Sequence, residues 1–479
     1  MLFNSEIFFI FSLIFFCLWP LFVRNNNTRW IFLIAASFLF YGWWDFRYLS
    51  LIIVCGMIDF IAALSMEGFP RYRKIFLFLS LLGNLGILFS FKYLTFISEN
   101  IKILASFVHL DISLTQHTPE FMLVLPVGIS FYTFQSMSYS IDVYNGNLKP
   151  TRNVFHYFAY LSMFPQLVAG PIIRAKDMLP QLLKVRPVTE SLFWEGTVLI
   201  THGFFKKIFI ADHIGIFVSA AFANTHVAGS GLYWWLIALA FSIQIYCDFS
   251  GYSDIARGLA KWMGYEIPIN FNHPYSSISL RDFWTRWHIS LSSWFRDYVY
   301  IPLGGSKKGF LHGLRNMAIT MLLSGIWHGA SLTFLLWGAC HALFLSIERI
   351  TRWPEKLNNI PFGHWVAWIV TMLQVILAWV IFRAESFPQI VDILSRMITF
   401  QGGIKLGIGE QISVRDFYIL TFLIGIVMLR ELYFFTRANQ SFKNSFIYTK
   451  LCGPFALVVL ALVTIYFRGT TSEFIYFRF

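Results

Sequence analysis

The chain has 479 residues, of which 57% are hydrophobic and 13% charged, with a formal net charge of +12 and a mean hydropathy of +0.61. Apolar runs of 17 residues or more recur from end to end, which excludes an ordinary water-soluble protein and makes this an all-α, polytopic membrane protein. The basic surplus does not mark a nucleic-acid binder, because Lys and Arg collect in short loops between apolar runs, the pattern that orients membrane helices.

The first segment, "SEIFFIFSLIFFCLWPLFV", has no basic n-region and no A-x-A-like site, so it reads as a retained span. Basic clusters at Arg24 and Arg29, at Arg71, Arg73 and Lys74, and at Lys149 and Arg152 are expected to face the cytoplasm. Spans Arg29 to Trp44 and Tyr48 to Met66 then cross out and back, which leaves the N-terminus outside. Ile75 to Ile97 exits into "ASFVHLDISLTQHTPE", an outer loop poor in Lys and Arg, and Phe121 to Tyr144 re-enters. In "FHYFAYLSMFPQLVAGPIIRAKD", Pro165, Gly170 and Pro171 interrupt the apolar run, so a re-entrant or surface-lying segment is expected. Lys206 and Lys207 fall in the middle of a run and predict a helix break near an interface, with both lysines snorkelling.

A span from Leu232 to Cys247 leads into "CDFSGYSDIARG", and Arg281 through Arg315 reads as a long basic cytoplasmic stretch. Later spans are Trp365 to Phe382, Phe417 to Leu432 and Cys452 to Phe467. Arg430, Arg437, Lys443 and Lys450 place the last inner loop in the cytoplasm, so "SEFIYFRF" ends outside. The total is about 9 to 11 spans plus re-entrant pieces. No Gly/Ser/Pro-rich linker divides the chain, so residues 1–479 read as one membrane domain. The five cysteines lie in apolar context with no C-x-x-C spacing and read as free thiols.

Within "NMAITMLLSGIWHGASLTFLLWGACHALFLSIE", basic residues at both ends predict a segment that dips in and returns, bending at "HGAS". His328 follows Arg315 by 13 residues, about 20 Å into a hydrocarbon core roughly 30 Å thick. An ionisable ring at that depth is either functional or a neutral histidine bonding a neighbouring helix. Desolvation favours the uncharged imidazole, the form able to accept a proton.

A second stretch, "SLRDFWTRWHISLSSWFRDYVYIPLGGSKKG", places Phe283, Trp287, Leu291, Trp294 and Tyr298 at helical spacing. One amphipathic helix at or below the interface is expected, closed by Pro302 and "GGSKKG". His288 lies beside the stripe and is either an anchor or a catalytic group. Lys307 and Lys308 either satisfy the positive-inside rule or attract an anionic donor.

"RDFWTRWHISLSSWFRDYVYIPLGG", "IWHGASLTFLLWGACHA", "QIYCDFSGYSDIARGLAKWMGYEIPINFNHPY", "FPQLVAGPIIR" and the terminal "FIYFRF" together resemble the membrane-bound O-acyltransferases, and most closely their bacterial alginate O-acetylation branch. The likeness runs over most of the chain, with Arg478 standing where that branch would have glutamine. It implies a bacterial inner-membrane protein with helices around a transmembrane tunnel, a thioester donor such as acetyl-CoA entering from the cytoplasm, and an acceptor approaching from outside. It makes His328 the counterpart of the family's catalytic histidine and His288 that of its second active-site histidine. Trp327, Trp287, Asp248 and Asn270 become candidate substrate-side residues, although Asp248, Asp254 and Asn270 read first as structural groups bonding helix ends beside the tunnel and only alternatively as groups that orient a histidine, and Lys307 and Lys308 become candidate donor-side residues. Implied partners are an envelope polysaccharide or peptidoglycan hydroxyl and a periplasmic SGNH-hydrolase-like acetyltransferase.

No G-x-S-x-G, H-E-x-x-H, Walker A or G-x-G-x-x-G motif occurs, so direct transfer without a metal or a permanently bound cofactor is expected. Competing readings are D-alanyl transfer from a carrier-protein thioester, a transporter or flippase, and a scaffold for an export complex. The D-alanyl branch is usually shorter than this chain.

Overall fold

The computed structural model describes residues 1–107, 115, 118–225, 229–401, 413–436, 453–466 and 474–475. The described elements are all helical. The chain divides into two compact units, one formed by Met1–Ile200 with Ile255–Pro268, the other by Thr201–Asp254 with Ile269–Ile475.

In the first unit, α1 (Glu6–Phe22) begins where the Ser5 hydroxyl accepts from Phe8 N, and α2 (Asn26–Gly42) where the Asn25 side chain accepts from Asn27 N and Thr28 N. Both caps satisfy amides that the first helical turn leaves open. A short turn at Phe46–Tyr48 leads into α3 (Leu49–Gly68), and α4 (Arg73–Leu88) runs through a π-helical turn into α5 (Leu94–Ser106). The expected re-entry from Phe121 to Tyr144 is broken into α6 (Glu120–Leu123) and α7 (Ile129–Tyr144).

At the centre of this unit the Asp59 carboxylate accepts hydrogen bonds from the hydroxyls of Ser80, Ser136 and Ser140 and from the Asn84 amide. In a bundle without water, a buried carboxylate persists only when donors saturate it. The proline-interrupted segment is broken, as expected, into α8 (Val154–Leu161), α9 (Phe164–Leu167) and α10 (Ala175–Leu183). It does not lie on the surface: residues 156–173 are all buried.

The next helix, α11 (Glu190–Phe204), passes through a π-helical stretch, Phe205–Ala211, into α12 (Asp212–Ala223). Contrary to expectation, there is no break at Lys206 and Lys207, and neither lysine snorkels. Lys207 Nζ lies 2.9 Å from Asp212 Oδ1 and 2.8 Å from Asp248 Oδ1. Lys206 Nζ lies 2.5 Å from Asp254 Oδ2. Carboxylates on the same and the facing helix pair with these cations within the second unit, buried at Lys207 and half-buried at Lys206, which sequence spacing alone does not reveal.

The helix α13 (Gly231–Trp262) is followed by two short helices, α14 (Leu280–Arg286) and α15 (Ile289–Phe295), and then by the pair α16 (Phe310–His328) and α17 (Leu332–Thr351). Next come α18 (Trp353–Asn358), α19 (Gly363–Arg383), α20 (Phe387–Thr399), α21 (Val414–Thr436) and α22 (Gly453–Tyr466). Among the described residues, five helices are long and apolar enough to cross a membrane: Phe46–Gly68, Pro70–Ser106, Gly231–Trp262, Leu332–Thr351 and Gly363–Arg383. Glu6–Phe22 and Pro454–Tyr466 are shorter apolar helices. Cys452 and Phe467, the inner-loop residues Arg437, Lys443 and Lys450, most of the expected outer loop, and most of "SEFIYFRF", including Arg478, lie outside the described residues.

The bend expected at "HGAS" is present. Gly329 is extended, and the Ser331 hydroxyl caps α17 by accepting from Thr333 N. The two helices meet backbone to backbone: a Cβ on Gly338 would stand 2.6 Å from the Met321 carbonyl oxygen, and Gly325 faces the Phe334 carbonyl in the same way. Small residues permit this approach where helices pack without water. Gly338→Leu should therefore force the pair apart at a cost of about 1–3 kcal/mol. Thermal unfolding of the detergent-purified protein should show a lowered midpoint, and an unchanged midpoint would contradict the close contact.

Candidate active site

The single amphipathic helix expected over Ser279 to Tyr298 is two helices, broken at His288, whose φ of 43° and ψ of 53° are left-handed. That conformation costs a non-glycine residue roughly 1–2 kcal/mol and persists only where surrounding contacts impose it. Here the contacts come from Asn270. Its backbone oxygen accepts from Ile289 N at 2.9 Å. Its side-chain oxygen accepts from His288 Nδ1 at 3.1 Å, Ser290 N at 3.2 Å and Ser290 Oγ at 2.9 Å. The Asn270 amide nitrogen donates to Ser253 Oγ at 3.3 Å.

This pattern fixes chemistry as well as position. The Ser290 amide can only donate, so the atom it meets on Asn270 is the carbonyl oxygen, and His288 Nδ1 must carry a proton. In the neutral ring the lone pair is then on Nε2. His288 is 0% exposed, and burial pushes its pKa down to about 3. The Phe249 ring meets it edge-on at 4.5 Å.

The stripe residues Phe283, Trp287, Leu291 and Trp294 are buried, as the spacing predicts, but from two helices. The start of α14 is held by Ser279, which accepts from Asp282 N, and by the Glu348 carboxylate, which accepts from Leu280 N at 2.7 Å and Arg281 N at 3.2 Å.

His328 is the last residue of α16 and is 4% exposed. Three rings meet it edge to face: Trp327 at 5.1 Å, Trp337 at 5.0 Å and Phe382 at 5.3 Å. Trp327 also lies 6.3 Å from the His288 ring. One indole thus sits against both imidazoles, and the second unit gathers His288, His328, Trp327 and Asn270 at one place.

Trp287 packs behind them, 4.9 Å from Trp379 and stacked 5.5 Å from Phe283. Asp248 bonds Lys207 and accepts from Ile475 N at 2.8 Å; it adjoins the site through its neighbour Phe249. Lys307 and Lys308 are exposed in the turn before α16. With 19 residues in that helix, they stand roughly 28 Å along its axis from His328, so the structure does not bring them to the histidines.

Sequence reasoning gave no role to His341, which is 1% exposed on α17. Its ring lies 4.7 Å from Trp337 and 5.0 Å from Trp284. The available signal was Trp337 and His341 four residues apart, one helical turn, facing the same way as His328.

The site falls within residues 151–387, the part of the chain that matches the family model MBOAT, membrane-bound O-acyltransferase family. The chain is 39% identical over 409 residues to a probable alginate O-acetylase of Pseudomonas putida, covering 84% of this chain and 81% of that protein. It is 30% identical to a peptidoglycan O-acetyltransferase of Helicobacter pylori, covering 96% and 93%. To a teichoic acid D-alanyltransferase of Bacillus subtilis it is 30% identical over 57% of this chain and 72% of that protein. With a buried pair of histidines inside the matched region and likeness of this extent, the chain belongs to the membrane-bound O-acyltransferase family and is a multi-pass membrane acyltransferase.

Proposed function

We propose that the chain, acting as one membrane domain of the bacterial inner membrane with both termini outside, moves an acetyl group from a cytoplasmic thioester such as acetyl-CoA to an envelope polysaccharide or peptidoglycan hydroxyl. A periplasmic SGNH-hydrolase-like acetyltransferase serves as the intermediate acceptor. The observation that carries this reading is the pair of buried imidazoles sharing Trp327, one of them kept neutral and oriented by Asn270. Acetyl rather than D-alanyl transfer is supported by the extent of likeness, 84% and 96% of the chain for the two acetyl-transfer relatives against 57% for the D-alanyl relative.

In this mechanism His328 takes the proton of the attacking hydroxyl as its oxygen bonds to the thioester carbonyl carbon. The carbon–sulfur bond then breaks, and the proton passes to the departing thiolate, which leaves as a free thiol. His288, with Nδ1 committed to Asn270, presents Nε2 as an acceptor. It orients a donor group of the incoming substrate and, while neutral, does not donate to the carbonyl oxygen. Trp327 walls the reacting groups, and Trp287 and Asp248 support the site from behind. Because His328 is 4% exposed and His288 is enclosed, substrate entry requires the surrounding aromatic side chains to part.

His328→Ala, at normal membrane level, should lower acetyl transfer by about 10²–10⁴-fold. The check is release of free CoA by purified protein supplied with acceptor; full activity would overturn the assignment, and release without acceptor would contradict direct transfer.

Asn270→Ala, which frees the His288 ring, should cost on the order of 10²-fold. Asn270→Asp keeps an acceptor for Nδ1 but places a carboxylate beside the imidazole, which favours its charged form and raises its pKa. Protonation removes the Nε2 lone pair, so the acid-side loss of activity should begin at higher pH in Asn270→Asp than in the unmodified protein. Coincident pH profiles would contradict the positioning role.

A further inference from the structure

The first unit contains a cavity of about 660 Å³ lined by none of the residues of the candidate active site. Its walls are apolar, with Phe16 and Trp19 from α1, Trp262 from the end of α13 and Met263 just beyond it, while Arg24, Arg29 and Arg186 also line it. Phe16 meets the Trp262 ring at 5.3 Å.

Arg29 is the unusual member. It is 2% exposed and forms three hydrogen bonds, to Val23 O at 2.7 Å, Asn26 Oδ1 at 2.6 Å and Leu182 O at 2.5 Å. Every one of those acceptors is uncharged, and the Arg29 Nε has no hydrogen-bond partner. A fully buried arginine is rare unless an anion pairs with it. Its position worsens the electrostatics, because it occupies the first turn of α2, where the helix dipole is positive. Arg24 adds an exposed positive charge beside it. Arg186 is offset by Glu266 at 2.8 Å, which leaves Arg24 and Arg29 uncompensated within the cavity.

We infer that this cavity binds an anionic glycerophospholipid, with its phosphodiester on Arg29 and Arg24 and an acyl chain along Phe16, Trp19 and Trp262. The phosphate oxygens supply the missing anion and an acceptor for Nε. The aromatic wall is what distinguishes this occupant from a free phosphate: inorganic phosphate would meet the arginines but leave the apolar surface uncovered. Basic pockets between helices at a membrane surface hold acidic headgroups for the same reason, and tryptophan is enriched at that depth.

The test is native mass spectrometry of the full-length, delipidated protein in detergent, titrated separately with phosphatidylglycerol, phosphatidylcholine, inorganic phosphate and CoA. One phosphatidylglycerol per chain should be retained, with about tenfold preference over phosphatidylcholine. Arg29→Gln should weaken retention about tenfold, and since it also removes the bonds to Val23 and Leu182, Arg24→Glu provides the second arm. Arg24 is exposed and outside the core, so its reversal leaves the fold intact while repelling the headgroup. Equal retention of the two lipids, unaltered retention by Arg24→Glu, or displacement of the lipid by millimolar phosphate or CoA would each overturn the inference.

Discussion

The carboxamide of Asn270 is the constraint on which the site depends. In an apolar helical unit no water is available to complete a polar side chain, so each donor and acceptor must be matched within the protein. One oxygen takes three donors, from His288 and twice from Ser290, while the amide nitrogen reaches Ser253 on α13. The same residue's backbone oxygen receives Ile289 N. These bonds hold His288 in its left-handed conformation, offset the strain, and select its tautomer. Remove the carboxamide and the ring orientation and lone-pair direction lose their cause together, while the backbone bond to Ile289 remains.

The protein handles buried polarity in two ways that serve different ends. Two charged groups away from the histidines are saturated: Asp59 by four neutral donors, Lys207 by the carboxylates of Asp212 and Asp248. These arrangements are closed and suit a scaffold, since breaking either would strand a charge in low dielectric. The imidazoles are treated differently. His288 is fully enclosed and is oriented by the uncharged Asn270 carboxamide, its burial keeping it neutral, and His328 is ringed by Trp327, Trp337 and Phe382. Burial lowers the proton affinity of the His288 ring and keeps it neutral, so that with Nδ1 protonated the lone pair stays on Nε2.

Much of this was legible because membrane insertion imposes simple rules on sequence. Hydropathy and the basic loops gave the all-α, multi-pass class, and the paired glycine and serine after His328 gave the bend between α16 and α17. What failed was what depends on partners distant in sequence. Lys206 and Lys207 look like snorkelling lysines until carboxylates on facing turns are known. The stripe from Phe283 to Tyr298 looks continuous because large apolar side chains recur every three or four residues on both sides of a break. Periodicity records which side chains are buried, whereas the break is imposed by Asn270, 18 residues upstream of His288. His341 escaped because its one local signal, Trp337 a helical turn before it, does not reveal that Trp284, 57 residues upstream, encloses the ring from another helix.

The length of α16 sets a limit on what Lys307 and Lys308 can do. They stand at one end and His328 at the other, separated along the axis by roughly 28 Å, close to the thickness of the hydrocarbon core. Salt screens exposed charges over about 8–10 Å, so the lysines exert no useful field at the imidazole. If they assist the reaction, they do so at the surface, by raising the local concentration of an anionic donor before it enters. The separation follows from helix geometry: exposed charge stands at one end of α16 and a buried imidazole at the other.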